Sequence, residues 1–131
     1  MIHILLVDDD PDILEILQLD LEDDSDFAVK ACRSSIEALE EATKKQYDSI
    51  ITDWRMPGMN GTELIKNLRA GGCRSCIILY SGLAMGPAIR TAMDAGADYV
   101  IHRTGDPDAE FAMLRQIIRE RVPSGSGGQE K

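Results

Sequence analysis

The 131-residue sequence is poor in aromatic residues (5%), in cysteine (three) and in histidine (two). Three cysteines, an odd number, make no disulfide framework. Cys73 and Cys76 have C-x-x-C spacing, but no second cysteine pair or histidine pair completes a zinc site, so both read as small residues at a loop-to-strand junction. Long hydrophobic runs are missing as well. Nothing approaches the roughly 20 apolar residues of a spanning helix, which excludes that route into a membrane. The apolar residues 4–7 lack the basic flank and the length of a secretory signal, and a cytoplasmic domain is expected. Positive charge is scarce too: 14 Lys and Arg stand against 23 Asp and Glu, for a net charge of −9. Such a surface repels phosphate backbones, which argues against direct nucleic-acid binding and favours a basic partner or a metal cation.

What is present suffices for one core. Hydrophobic residues make up 44% of the chain, and a chain of this length buries about two thirds of the surface its unfolded form exposes. Five short apolar runs (residues 2–7, 27–31, 49–52, 76–80 and 99–101) alternate with five amphipathic stretches. This βα alternation predicts an α/β fold, a parallel sheet covered by helices on both faces. Asp10 and Pro11 give a cap and first-turn proline ahead of Leu14, Leu17 and Leu21, widened by Ile13 and Ile16. Ser34 and Glu37 have capping-box spacing, Thr62 is a candidate cap before Leu64, Ile65 and Leu68, and Pro87 opens a stretch that Gly96 ends. Asp106 and Pro107 repeat the first pattern ahead of Phe111, Leu114, Ile117 and Ile118. The composition turns to Ser and Gly after Val122, so residues 1–122 are expected as the folded domain and 123–131 as a disordered tail or linker.

Ligands of open parallel sheets bind beyond the carboxyl ends of the strands. That rule selects Asp8 and Asp9 after the first strand, Asp53 after the third, Ser81 after the fourth, and His102 with Arg103 after the fifth. Three carboxylates brought together repel one another unless a cation neutralises them. Oxygen donors favour a hard divalent ion, and Mg²⁺ is expected. A carboxylate beside Mg²⁺ is suited to attack a phosphoryl group, with a nearby cation and the Ser81 hydroxyl to stabilise the phosphoryl oxygens. The second acidic group, Asp20, Glu22, Asp23, Asp24 and Asp26, reads as a solvated surface, and His3 as a structural residue of the first strand.

The order Leu6-Val7-Asp8-Asp9-Asp10-Pro11, Asp53-Trp54-Arg55-Met56-Pro57-Gly58-Met59-Asn60-Gly61, Ser81-Gly82 and Ala95-Gly96-Ala97-Asp98-Tyr99 resembles the successive motifs of response-regulator receiver domains of two-component signalling. The resemblance runs from about residue 2 to 121. It implies a single doubly wound, flavodoxin-like (βα)5 domain whose five strands take the order 2-1-3-4-5. It also implies Mg²⁺ on Asp8 and Asp9, one directly and one through water, with Asp53 and the Arg55 carbonyl as further ligands. Asp53 would be the phosphoacceptor, served by a sensor histidine kinase or a phosphotransfer protein. Ser81 takes the place of the switch hydroxyl, and Met56, Pro57 and Gly61 shape the loop. Such a domain is not an enzyme, though it promotes its own phosphorylation and dephosphorylation. The face formed by residues 89–93 and 106–115 would serve for homodimerisation or docking.

Two positions depart from the pattern. The lysine usual at the end of the fifth strand is absent: counting from Gly96 puts Arg103 there, counting from Tyr99 puts His102 there, and the first count is preferred. The aromatic switch position falls on Val100, with Tyr99 one residue early and so on the opposite face of the strand. These departures keep open a receiver-shaped interaction module that is not phosphorylated. A Mg²⁺-dependent phosphatase of haloacid-dehalogenase type, suggested by Asp8-x-Asp10, is a further alternative, although Pro11 and Asp12 do not continue that motif. Lacking an output domain within these residues, the chain is expected to act by docking or as part of a longer protein with, for instance, a histidine kinase as neighbour.

Overall fold

The computed structural model describes residues 1–82 and 86–121. The strands are β1 (Ile2–Val7), β2 (Phe27–Cys32), β3 (Ser49–Thr52), β4 (Cys76–Ser81) and β5 (Tyr99–His102), and the helices are α1 (Pro11–Glu22), α2 (Ser35–Lys44), α3 (Gly61–Ala70), α4 (Gly86–Ala95) and α5 (Pro107–Arg121). All four strand pairings are parallel, in the order β2-β1-β3-β4-β5. This is the flavodoxin-like architecture expected. β2, β4 and β5 each run one residue beyond their apolar stretch, because pairing continues to the tips through Val7 with Cys32 and Ser81 with His102.

Period-two alternation divides the buried side chains between two layers. Ile4, Leu6, Ile51, Ile78 and Ile101 face α1 and α5, meeting Leu14, Leu17, Leu21, Phe111, Leu114 and Ile118. Leu5, Val7, Ile50, Ile77 and Leu79 face α2, α3 and α4, meeting Ala38, Leu64, Ile65, Leu68 and Ala92. Full burial of each large aliphatic side chain is worth about 1.5–3 kcal/mol, so a one-residue slip of a central strand is strongly disfavoured. The same alternation puts Tyr99 against the α1/α5 layer and Val100 against the other, as the offset count required.

Helix starts follow the sequence with one correction. Asp10 caps α1 by accepting the Asp12 N–H at 2.9 Å, and Ser34 caps α2 through the Glu37 N–H at 3.1 Å. Asn60, not Thr62, caps α3, in a reciprocal box with Glu63 at 2.9 Å in both directions. Thr62 instead lies buried in the first turn of that helix. The acidic stretch from the end of α1 to the turn before β2 is less free than expected for a solvated surface, since Arg115 pairs with Asp20 and Arg119 with Asp24 and Asp26, linking α5 to α1 and to that turn. The expected tail at 123–131 lies outside the described residues. Among the described residues no helix is long and apolar enough to cross a membrane.

Candidate functional site

Backbone pairing at the carboxyl edge of the sheet fixes the site. Asp8 N–H donates to Cys32 O at 3.1 Å, Asp53 N–H to Val7 O at 3.0 Å, and Arg103 N–H to Ser81 O at 2.9 Å. The ladder thus extends one residue past each strand and sets those residues side by side. Asp8, Asp9 and Asp53 each offer a carboxylate oxygen within 4.8 Å of the others. Asp8 is buried, Asp53 half-buried and Asp9 exposed, so the cluster is open on one side. Three hard oxygen donors with an open side fit Mg²⁺, which keeps several waters beside one or two carboxylates.

Asp8 carries the electrostatic tension of the site. Burial raises its pKa above the ordinary carboxylate value, the neighbouring Asp53 charge adds to the rise, and the Asp10 N–H and Arg103 oppose it. Arg103 Nη2 lies 2.6 Å from Asp8 Oδ2 and 3.1 Å from Tyr80 O, while its guanidinium carbon stands 4.6 Å from the centre of the Tyr80 ring. Among the described residues, buried Arg103 Nε has no hydrogen-bond partner, which costs about 1–3 kcal/mol. The guanidinium is therefore held on Asp8 at the expense of one donor. Of the two residues at the end of β5, Arg103 reaches the carboxylates, whereas His102 is exposed.

Ser81 is buried at the end of β4, and Arg55 is exposed in the loop after β3. The loop itself is tightly built. Asp53 Oδ1 accepts the Trp54 N–H at 2.7 Å, and the Trp54 indole N–H donates to Thr62 Oγ1 at 3.1 Å. Ser35 Oγ donates to Met59 O at 2.7 Å, tying α2 to the same loop. Trp54 is half-buried and packs against the α2/α3/α4 layer.

Sequence reasoning missed Tyr80, Thr104 and Glu110. Tyr80 Oη donates to Glu110 Oε1 at 2.6 Å, and Glu110 Oε2 accepts from Thr104 N–H at 2.5 Å and Thr104 Oγ1 at 2.8 Å. Burial would raise the Glu110 pKa, but Tyr80, Thr104 and the Asp106 N–H outweigh it and hold the carboxyl at about 2. A signal existed: Glu110 shares the inward stripe of Leu114 and Ile118 at four-residue spacing, where a charge needs partners. Among the described residues, the cleft that Asp8, Asp53, Tyr80 and Arg103 line has a volume of about 10 Å³, on the order of the space one water needs and too little for an organic ligand.

Sequence comparison agrees with this geometry. The family model for the response regulator receiver domain matches residues 4–115, and the chain belongs to that family. The transcriptional regulatory protein FixJ of Azorhizobium caulinodans is 32% identical over 120 residues, covering 92% of this chain and 56% of that protein. The nitrate/nitrite response regulator homolog of Haemophilus influenzae is 31% identical over 122 residues, covering 92% of this chain and 59% of that protein. The chain thus spans little more than half the length of these curated relatives. Among solved structures, the Thermotoga maritima response regulator TrrA, in complex with Mg²⁺ and BeF, is 27% identical with a TM-score of 0.79, covering 93% of this chain and 100% of that one. Response-regulator receivers are generally not enzymes, and the phosphatase alternative falls with this family membership.

Proposed function

We propose that the chain is a phosphoacceptor switch in which Asp53 takes a phosphoryl group from a phosphohistidine of a sensor histidine kinase or phosphotransfer protein. The observation that carries this reading is the gathering of Asp8, Asp9 and Asp53 within 4.8 Å at the carboxyl edge of the sheet. An oxygen of Asp53 attacks phosphorus and the P–N bond breaks. The electron pair leaves with the imidazole nitrogen, and the product is an acyl phosphate. Asp8, Asp9, Asp53 and the Arg55 carbonyl would hold Mg²⁺, which supplies charge neutralisation for the phosphoryl oxygens. TrrA's complex with Mg²⁺ and BeF supports the same donor chemistry here. Arg103 is paired with Asp8 of the cluster, and it stabilises the phosphoryl oxygens once it turns from Asp8. Ser81 donates a hydrogen bond to a phosphoryl oxygen and carries the change toward α4.

Changed partner binding is the output. The face of α4, β5 and α5 exposes Met93 and Met113 and is assigned to homodimerisation or docking. The setting is cytoplasmic, where such kinases present their phosphohistidine. Residues 1–122 are assigned to the receiver and 123–131 to a tail or linker.

Intact-protein mass after incubation with Mg²⁺ and acetyl phosphate tests the reading, with Asp53→Asn and EDTA samples in parallel. Gain of one phosphoryl group that requires both Asp53 and Mg²⁺ is expected. The Arg103–Asp8 pair favours a second reading, a docking module that is never phosphorylated. A folded sample that binds Mg²⁺ and gains no mass would select it.

A further inference from the structure

Tyr80 and Glu110 form a buried polar pair to which phosphoryl transfer gives no task. The buried stretch of β4 is aliphatic apart from Tyr80 and its ends. Glu110 places its charge against neutral donors: Tyr80 Oη at 2.6 Å, Thr104 N–H at 2.5 Å, Thr104 Oγ1 at 2.8 Å and Asp106 N–H at 3.3 Å. A phenol that donates to a carboxylate is polarised toward phenolate, so the face of its ring is a better seat for a cation. The cation on that face is Arg103, with its guanidinium carbon 4.6 Å from the ring centre. A line of contacts therefore runs from the Glu110 carboxylate through the neutral Tyr80 phenol to the Arg103 cation and the Asp8 carboxylate.

Both oxygens of Asp8 are engaged, Oδ1 by the Asp10 N–H at 2.9 Å and Oδ2 by Arg103 at 2.6 Å. A divalent ion that takes Asp8 must meet a positive charge already seated there. We propose that Tyr80 and Glu110 are positioning residues that hold Arg103 on Asp8, making it a tethered cation that competes with the metal for that carboxylate. This rests on the metal site proposed above. It also ties the site to the start of α5, because the carboxylate that anchors Tyr80 holds Thr104 and Asp106.

The test is Mg²⁺ affinity, by calorimetry and by the fluorescence of Trp54, the single tryptophan. Tyr80→Leu, Tyr80→Phe and Glu110→Gln are each measured alone and combined with Arg103→Ala, with circular dichroism to verify folding. Arg103→Ala is expected to tighten Mg²⁺ binding by roughly three- to tenfold, the effect of removing a like charge from a partly screened site. Each single variant moves affinity the same way, Tyr80→Phe least because its ring remains, and none has any further effect once Arg103 is alanine. Equal effects with and without Arg103, or unchanged affinity in the folded single variants, would overturn the proposal and leave the metal site standing. A wild-type protein that binds no Mg²⁺ would overturn both.

Discussion

Gly61 and Asp53 are in backbone contact. A Cβ built on Gly61 would lie 2.2 Å from the Asp53 carbonyl oxygen and 2.8 Å from Trp54 Cα, while Gly61 N–H donates to Trp54 O at 2.7 Å. The start of α3 is thus laid directly on the strand end that presents Asp53. Gly61→Ala must push that loop away, since no flexible side chain can yield. We expect a loss of roughly 1–3 kcal/mol or more in urea unfolding, together with weaker Mg²⁺ binding. An alanine variant as stable as the wild type would contradict the contact.

Mg²⁺ binding carries its own prediction. Three carboxylates oppose one another without a cation, so a ligand that binds only the folded form raises stability, by about 2.7 kcal/mol at a hundredfold excess over its Kd. Asp9→Asn should abolish most of this gain. In EDTA the same substitution should raise the thermal midpoint, because it removes a like charge from beside Asp8 and Asp53. Opposite signs with and without metal are the mark of a cation site, and a matching loss under both conditions would mean that Asp9 has a structural role only.

Arg69 gives a prediction away from the site. Its guanidinium donates to Gly96 O at 2.8 and 3.0 Å, to Cys73 O at 2.8 Å, to Ser75 O at 3.0 Å and to Asp98 Oδ2 at 3.0 Å. A Cβ on Gly96, whose φ is +126°, would meet Arg69 Cγ at 2.5 Å. The arginine therefore clamps the turn that precedes β4 to the turn between α4 and β5. Arg69→Lys should not rescue Arg69→Ala, because one ammonium cannot reproduce the planar fork. Both should lose about 2–4 kcal/mol in chemical denaturation, by the ordinary cost of leaving part-buried carbonyls without donors. Full stability in the lysine variant would rule out the clamp.

These cases mark what the sequence made legible. Central strands such as Ser49–Thr52 are buried on both faces, so they read as apolar runs, and once the strand ends are known Asp8, Asp53 and Ser81 follow from position alone. The start of α3 was misread by two residues because Asn60 and Thr62 are both competent caps, and the Glu63 side chain decided for Asn60. The Tyr80 to Glu110 bond joins residues 30 apart in sequence. Arg103 and Asp8 are 95 apart. No periodicity reports such pairings, because helix packing onto the sheet creates them. The spacing of Glu110 from Leu114 and Ile118 held a sign, overlooked in the sequence, that a charge would be buried, and it says nothing of which residues meet it.

Glu110 also sets an acid limit. With the carboxyl held at about 2 in the folded protein against an ordinary value of 4.5, the folded state prefers the ionised form. The stabilisation is fully present above about pH 4.5 and disappears as pH falls toward 2, because the unfolded chain takes up the proton first. Its size is on the order of 3 kcal/mol at neutral pH. Glu110→Gln removes this dependence, so wild type and variant should differ most at neutral pH and converge only as pH approaches about 2. Urea unfolding across pH 2 to 7 measures it. A stability difference between the two proteins that stays constant over that range would mean that the Glu110 charge contributes nothing, and that only the shape of the Tyr80–Glu110–Thr104 cluster matters.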